Sequence, residues 1–469
     1  MKKMYIALLL WGAATISYAT ESPTLAAKPN EKQTQQAKDQ QIVRKLQQQA
    51  DAGDAKAQDK LGDVYYYAQY GVKQDASLAV EWYRKAVQQK LDNAYLHLGI
   101  AYIDGRGVER DLSKAFYYYQ QAASLGNEAA MLNLATMYQN GVGVAKNLDK
   151  AIEYNKKLAE KGLPQALLNL SELYGNQLGG ESNQKEAENW LRAAAAQGDP
   201  RAMYQLGMHY LQGRWVKQND WQASEWIKQA AEMNYLPALA TLGVMYYSGE
   251  GIQQSDSQAF KIFQKMADLN SAEGQWRVGM MYLWGKGVAV NHHKAQQWLE
   301  KSAQQNYAKA QYDLALFYLS DKQHKPNGQK AIPWLEKSAA QNMAEAQVKL
   351  GHLYLDGHYV KQDDQWAAKW FKQALEQHNV DSQLMLAGMY LIGRGVPQDI
   401  EQSIHLAQQS LAQQPARASY ILGFVYSNPQ SQYYDLSKSL DYFKTSCREK
   451  LSNSCELYQQ LSQQKNLAK

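Results

Sequence analysis

The sequence predicts an all-α fold, a right-handed α/α solenoid of about eleven 36-residue helix-turn-helix repeats. Three observations carry this. Tyrosines recur at Tyr102, Tyr138, Tyr174, Tyr210, Tyr246, Tyr282, Tyr318, Tyr354, Tyr390 and Tyr426, each 36 residues after the last, and Tyr65 extends the series with one residue inserted. Between rungs, apolar residues fall four apart, as on one face of a helix. Nine residues after each rung stands Asp, Asn or Ser, the residue types that open helices. A fixed period of this length marks stacked repeats, and such stacks mostly bind other macromolecules.

The chain has 469 residues, of which 45% are hydrophobic, so one long core can be filled. Residues 1–19 read as an export signal. Lys2 and Lys3 precede a short apolar run from Tyr5 to Ile16, and Ser17-Tyr18-Ala19 forms a small-x-small cleavage site. The run is too short to span a membrane; an uncleaved N-terminal anchor is the competing reading. No Cys follows it, which argues against a lipoprotein. Cleavage after Ala19 removes two lysines and no acids, taking the net charge from +5 to +3. That balance carries no nucleic-acid footprint, and the mature chain is expected to be soluble, without stable membrane insertion. Residues 20–37 are polar and mixed in charge, and are expected to be a flexible leader. Residues 38–52 read as an N-terminal capping helix, 53–450 as the repeats, and 451–469 as a closing helix and tail.

Around Tyr210 the repeat unit reads Ala202, Leu206, Gly207, Tyr210, Gly213, Ala223, Trp226, Ala230 and Ala231. Ala202, Leu206 and Tyr210 share one face of a first helix. Gly207 lies beside that stripe and recurs as Gly62, Gly99, Gly243, Gly279, Gly351 and Gly423, with Ala at 135, 315 and 387. Gly in a helix costs about 1 kcal/mol, so close approach of a neighbouring helix is the expected compensation. The following loop often reads G-x-G-V, as at Gly105 to Val108 and Gly393 to Val396, and suits a tight turn with positive φ. A phosphate-binding loop would need a preceding strand and a following Lys-Ser/Thr, which are absent. The expected N-caps of the second helix are Asp75, Asp111, Asn147, Asn183, Asn219, Ser255, Asn291, Asn327, Asp363, Asp399 and Asp435. Its expected ends are Gly126, Gly162, Gly198, Asn234, Asn270, Asn306 and Asn342. Repeats four, eight and eleven depart from the loop pattern.

The pattern A-x-x-x-L-G-x-x-Y, then G-x-G-V, Asp, A-x-x-W and A-A at 36 residues resembles the Sel1-like repeat family, relatives of tetratricopeptide repeats. The resemblance covers about residues 53–450. It implies a protein-interaction scaffold whose first helices line a concave groove. Only Cys447 and Cys455 occur, a disulfide candidate in an oxidising compartment; two free buried thiols are the alternative. Exported relatives, notably the Helicobacter cysteine-rich proteins, link helices through cysteines eight positions apart. The resemblance thus implies one Cys447–Cys455 disulfide.

Relative to each tyrosine, positions −9, −5 and −2 face away from the core stripe, and −6 borders that face. In repeats five to eight these include Tyr204, Met208, Val244, Trp276, Arg277, Met280, Tyr312, Asp313 and Leu316. Elsewhere they are often polar, as at Lys60, Asp63, Asn133, Thr136, Glu172 and His352. An aromatic and methionine cluster on a polar face reads as a partner site; the competing reading is that some are core. Enzyme signals are sparse. Ser182-x-x-Lys185, Ser462-x-x-Lys465 and Lys444-Thr445-Ser446 echo penicillin-binding enzymes, and some family members have been described as β-lactamases. His292-His293 reads as a solvated helix start. No cofactor and no metal ligand set is expected, and no catalytic residue is assigned. The expected role is that of a periplasmic scaffold, with secretion or surface association as the alternative locations, that binds a protein partner as an envelope adaptor or regulator. The alternatives are an immunity protein neutralising a toxic envelope enzyme, a secreted host-factor binder, and a β-lactamase-like hydrolase.

Overall fold

The computed structural model describes residues 29–178, 180–320, 326–451 and 453–467. The expected signal at 1–19 lies outside them. The described residues form helices and turns with no strand, as the sequence predicts. The chain divides into two compact units between Tyr235 and Leu236. No described helix is long and apolar enough to cross a membrane.

Helix α1 (Pro29–Asp51) leads the first unit and begins nine residues before the sequence reading starts it. Helix pairs follow: α2 (Ala55–Tyr66) with α3 (Ala76–Gln88), α4 (Asp92–Asp104) with α5 (Leu112–Ser124), and α6 (Glu128–Asn140) with α7 (Leu148–Glu160). Next come α8 (Pro164–Glu172) with α9 (Glu181–Ala196), and α10 (Pro200–Gln212) with α11 (Asp220–Glu232). The second unit holds α12 (Leu236–Ser248) with α13 (Asp256–Asp268), α14 (Ala272–Trp284) with α15 (His292–Gln304), and α16 (Ala308–Ser320) with α17 (Gly328–Ala340). It continues with α18 (Ala344–Asp356) and α19 (Asp364–Leu375), α20 (Val380–Ile392) and α21 (Ile400–Ser410), and α22 (Pro415–Ser427) and α23 (Leu436–Arg448), and closes with α24 (Ser454–Leu467).

The nine-residue spacing from tyrosine to cap has a physical origin. The backbone N–H of the cap residue donates to the carbonyl of the rung tyrosine in ten repeats, at 2.7–3.0 Å. The cap side chain then accepts from a first-turn N–H, as Asp363 does from Trp366 at 2.9 Å. In the first repeat a short 3₁₀ turn at Gln69–Gly71 absorbs the inserted residue. Repeat four is the exception and a correction. Its first helix runs on into a wider π turn at Leu173–Leu178, and α9 starts from Gly180, so Asn183 lies inside the helix and is not its cap.

The helical glycines are sites of close approach. A Cβ on Gly351 would stand 2.6 Å from Phe371, and one on Gly423 2.8 Å from Phe443. Similarly, Gly62, Gly99 and Gly243 face Tyr83, Tyr119 and Phe263. Every aromatic at this second-helix position faces a glycine. Where the position holds Asn155, Leu335 or Ala407, the first helix carries Ala135, Ala315 or Ala387. The stack thus exchanges volume between paired positions, as dense packing requires.

In the second unit an amide ladder joins successive repeats. The side chains of Gln305, Gln341 and Gln377 donate to those of Gln275, Gln311 and Gln347 at 2.7–2.9 Å. The same three donors reach Asn270, Asn306 and Asn342 of the preceding repeat. Those asparagines hold φ of +60 to +67° at the helix ends, as predicted. At the C-terminus Cys447 and Cys455 form a disulfide with Cα atoms 4.7 Å apart, tying α23 to α24.

Candidate functional site

The first helices of each unit present positions −6, −5 and −2 side by side, and three distinct chemistries occupy them. The first is the predicted aromatic cluster. Trp276 is half-buried on α14, and its indole N–H donates to Asp313 Oδ2 on α16 at 2.6 Å. The Tyr307 ring lies 5.8 Å from it, and Lys309 and Arg277 stand over its faces at 5.5 and 5.3 Å. Arg277 is further held by Glu273 at 2.7 Å. Burial raises the Asp313 carboxyl above its ordinary range, opposed by the Trp276 hydrogen bond. Met280 is buried and packs with Leu299, Ala310 and Leu314, so it supports this face from beneath. Tyr312 and Leu316 are half-buried and Val244 is exposed. In the first unit Tyr204 and Met208 are half-buried, and Tyr204 meets Tyr235 edge-on at 5.7 Å. The structure therefore gathers Trp276, Arg277 and Asp313 into one bonded group with Met280 below it.

The second feature lies on the same register farther along the second unit. Leu384, Met385 and Gly388 of α20 and Tyr420, Ile421 and Phe424 of α22 line a pocket of about 490 Å³. These are positions −6, −5 and −2 of the last two rungs. Gly388 opens the floor: a Cβ there would meet nothing within 4 Å. This glycine, one residue after Ala387, leaves space instead of filling a packing contact. Ile392 at the rim is 67% exposed and Phe424 is 37% exposed, a large uncovered apolar area. Arg394 and Arg417 flank the pocket, and each is already matched by a carboxylate. Arg394 pairs with Asp364 at 2.8 Å and donates to the Leu355 carbonyl at 2.9 Å. Arg417 pairs with Asp381. The rim is thus close to neutral and the interior apolar. The sequence reading placed its partner face in repeats five to eight; this pocket lies on positions −6, −5 and −2 of later repeats, where the run Leu384-Met385 followed by Tyr420-Ile421 was the available signal.

Third, Asp59, Asp63 and His97 converge on α2 and α4 of the first unit. Sequence reading noted Asp63 as polar but did not pair it with its neighbours. The enzyme-like motifs gather no site among the described residues. Ser182 and Lys185 are exposed on the first turn of α9. Ser446 is buried and donates to the Ala416 carbonyl at 2.9 Å. His293 is exposed, and its Nε2 lies 3.0 Å from the Gln297 amide nitrogen one turn on.

A model of the Sel1 repeat matches ten consecutive segments: 55–91, 92–127, 128–163, 164–199, 200–235, 236–271, 272–307, 308–343, 344–379 and 380–414. The α22–α23 pair continues the layout beyond the last. No curated protein matches the chain. Among solved structures, it is similar to a protective antigen of uropathogenic Escherichia coli strains that displays an SLR fold. The two are 28% identical over 90% of this chain and 94% of that one, with a TM-score of 0.56. It is also similar to a Sel1 repeat protein from Oxalobacter formigenes, at 28% identity over 72% of this chain and 98% of that one, TM-score 0.52.

Proposed function

The chain belongs to the Sel1 repeat family, and on that premise we propose that it is an exported scaffold that seizes an apolar segment of a protein partner. The apolar pocket between α20 and α22 carries this reading. Its volume lies in the range of ligand sites, and it accepts large aliphatic or aromatic side chains from a helical or extended strand of the partner. Both flanking arginines are already neutralised by aspartates, so the favoured segment is apolar and not acidic. The bonded group around Trp276 offers a second anchor, because aromatic and arginine side chains dominate interface energetics. The repeat scaffold is of a kind that generally binds rather than catalyses. The apolar run and cleavage site at residues 1–19 support export to the periplasm, and the antigen character of the Escherichia coli relative accords with it.

The test is site-specific photocrosslinking from position 392 in envelope extract, followed by mass spectrometry of the adduct. The expected result is one partner, captured through an apolar segment and lost in Gly388→Trp, which fills an empty space and leaves the helix intact. Retention of the same partner by folded Gly388→Trp refutes the pocket as its site. An adduct formed through a charged segment refutes the stated chemistry.

A further inference from the structure

In the first unit, Asp59 and Asp63 stand one helical turn apart on α2, and His97 comes to them from α4 of the next repeat. His97 Nδ1 lies 2.8 Å from Asp59 Oδ1 and 3.4 Å from Asp63 Oδ1. The three ligand atoms all fall within 4.8 Å of one another. Asp59 is only 5% exposed, and the Asp63 and His97 side chains are 26% and 17% exposed. Tyr83 O–H donates to Asp63 Oδ1 at 2.8 Å, and its ring lies 5.0 Å from the imidazole. Two largely enclosed carboxylates thus face one imidazole, and the group is short of positive charge.

The spacing is close to that of a coordination polyhedron. Bonds of about 2.0–2.2 Å to nitrogen and oxygen place ligands about 3.3–3.6 Å apart in a tetrahedron. His97 Nδ1 stands 2.8 and 3.4 Å from the two carboxylates, so the imidazole and Asp59 part by about 0.5–0.8 Å to admit an ion. One imidazole nitrogen with two carboxylate oxygens suits a first-row divalent ion and disfavours calcium or magnesium. We propose that Asp59, Asp63 and His97 form a zinc site, with His97 Nδ1 and one oxygen of each aspartate as ligands and water in the fourth position. The proton on His97 Nδ1 leaves to solvent as the metal binds. Tyr83 is a positioning residue that orients Asp63. The ion pins α2 to α4 and locks the first two repeats together, independently of the partner pocket.

The full chain, freed of metal by chelator dialysis, is titrated with zinc against a chromophoric competitor. Saturable binding of one zinc is expected, abolished in the isosteric Asp59→Asn and in His97→Gln. Tyr83→Phe should weaken binding by about 10–100-fold. His405→Gln, at an exposed histidine on α21, should change nothing. If His97→Gln loses its circular dichroism, cobalt substitution of the wild type decides. An absorption spectrum and an X-ray absorption shell with one imidazole and oxygen donors support the site, and a shell without imidazole overturns it. Absence of stoichiometric zinc overturns it too, as does binding that survives both Asp59→Asn and folded His97→Gln.

Discussion

Two helical glycines in neighbouring repeats should respond in opposite ways to alanine. Gly351 and Gly388 both sit on first helices of the second unit, and a substitution by Ala in an exposed helix gains about 1 kcal/mol. At Gly388 nothing stands within 4 Å of the new methyl group, so Gly388→Ala should realise that gain. At Gly351 the methyl falls 2.6 Å from the Phe371 ring, which has no exposed surface. Phe371 is enclosed by Leu355, Ala367, Leu386 and Ala407 and has nowhere to go. Overpacking of this kind costs about 1–3 kcal/mol, so Gly351→Ala should end about 1–3 kcal/mol below Gly388→Ala. Repeat eight shows the remedy, since Ala315 there is paired in register with Leu335. The double variant Gly351→Ala/Phe371→Leu recreates that pair and should show favourable coupling of about 1 kcal/mol or more. Urea midpoints at unchanged slope give the differences. Hydrogen exchange of α18 and α20 amides gives them locally, as a repeat array needs. Equal stabilisation by the two alanines, or no coupling in the double variant, would refute the packing argument.

Two further outcomes follow from particular groups. Reducing Cys447–Cys455, which closes a short loop, should cost about 2–3 kcal/mol. The loss should appear as faster amide exchange confined to α23 and α24; unchanged protection of α24 in dithiothreitol would contradict this. His209 is pushed down to about 4 by burial and by the nearby Arg214, and its ring stacks on Trp215 at 4.0 Å. Its folded pKa lies below the unfolded value of about 6.5, so the neutral ring is favoured by folding. The first unit should therefore keep this stability above about pH 6.5 and lose it as pH falls towards 4, by about 1–2 kcal/mol once screening of the partly exposed ring is discounted. Urea midpoints against pH should flatten in His209→Gln, and an unchanged slope in that variant would exclude His209 as the cause.

What was legible in the sequence was local or periodic. Tyr354 and Asp363 announce a hydrogen-bonded loop because the bond between them spans a fixed nine residues. Asn306 announces a helix end because few residues hold its φ of +63°. The candidate site was half legible. Positions −9, −6, −5 and −2 could be picked out as turned away from the core stripe, yet an amphipathic pattern cannot say which side chains find partners on the next helix. Trp276 is bonded to Asp313 and Met280 is buried, whereas Gly388 opens a pocket three repeats after them. In sequence, Gly388 looks like the packing glycines that stand one residue earlier in other repeats. The Asp59, Asp63 and His97 group was readable in principle, at −6 and −2 of one rung and −5 of the next. It requires pairing positions across a repeat instead of along a helix.

The irregular repeats show the same interdependence from the other side. In regular repeats the second loop glycine meets the start of the preceding second helix. A Cβ on Gly107 would strike the Ala76 carbonyl, and one on Gly395 that of Asp364. Only repeats five and nine carry an aromatic there, Trp215 and Tyr359, both still at positive φ, +65° and +67°. Each follows a repeat whose loop has lost the pattern. In each, the ring occupies the space left by a glycine of that repeat, Gly175 for Trp215 and Gly328 for Tyr359. Holding a bulky residue in the left-handed region costs about 1–2 kcal/mol. Burying even half of an aromatic ring offsets that. Trp215 gains in addition the stack on His209, and burial there keeps that imidazole neutral. A degenerate loop is therefore compensated one repeat later by a side chain reaching back. The unit of packing in this chain is the junction between repeats. That is also why the two proposed binding sites, the pocket between α20 and α22 and the cluster between α2 and α4, are shared by two repeats and belong to neither alone.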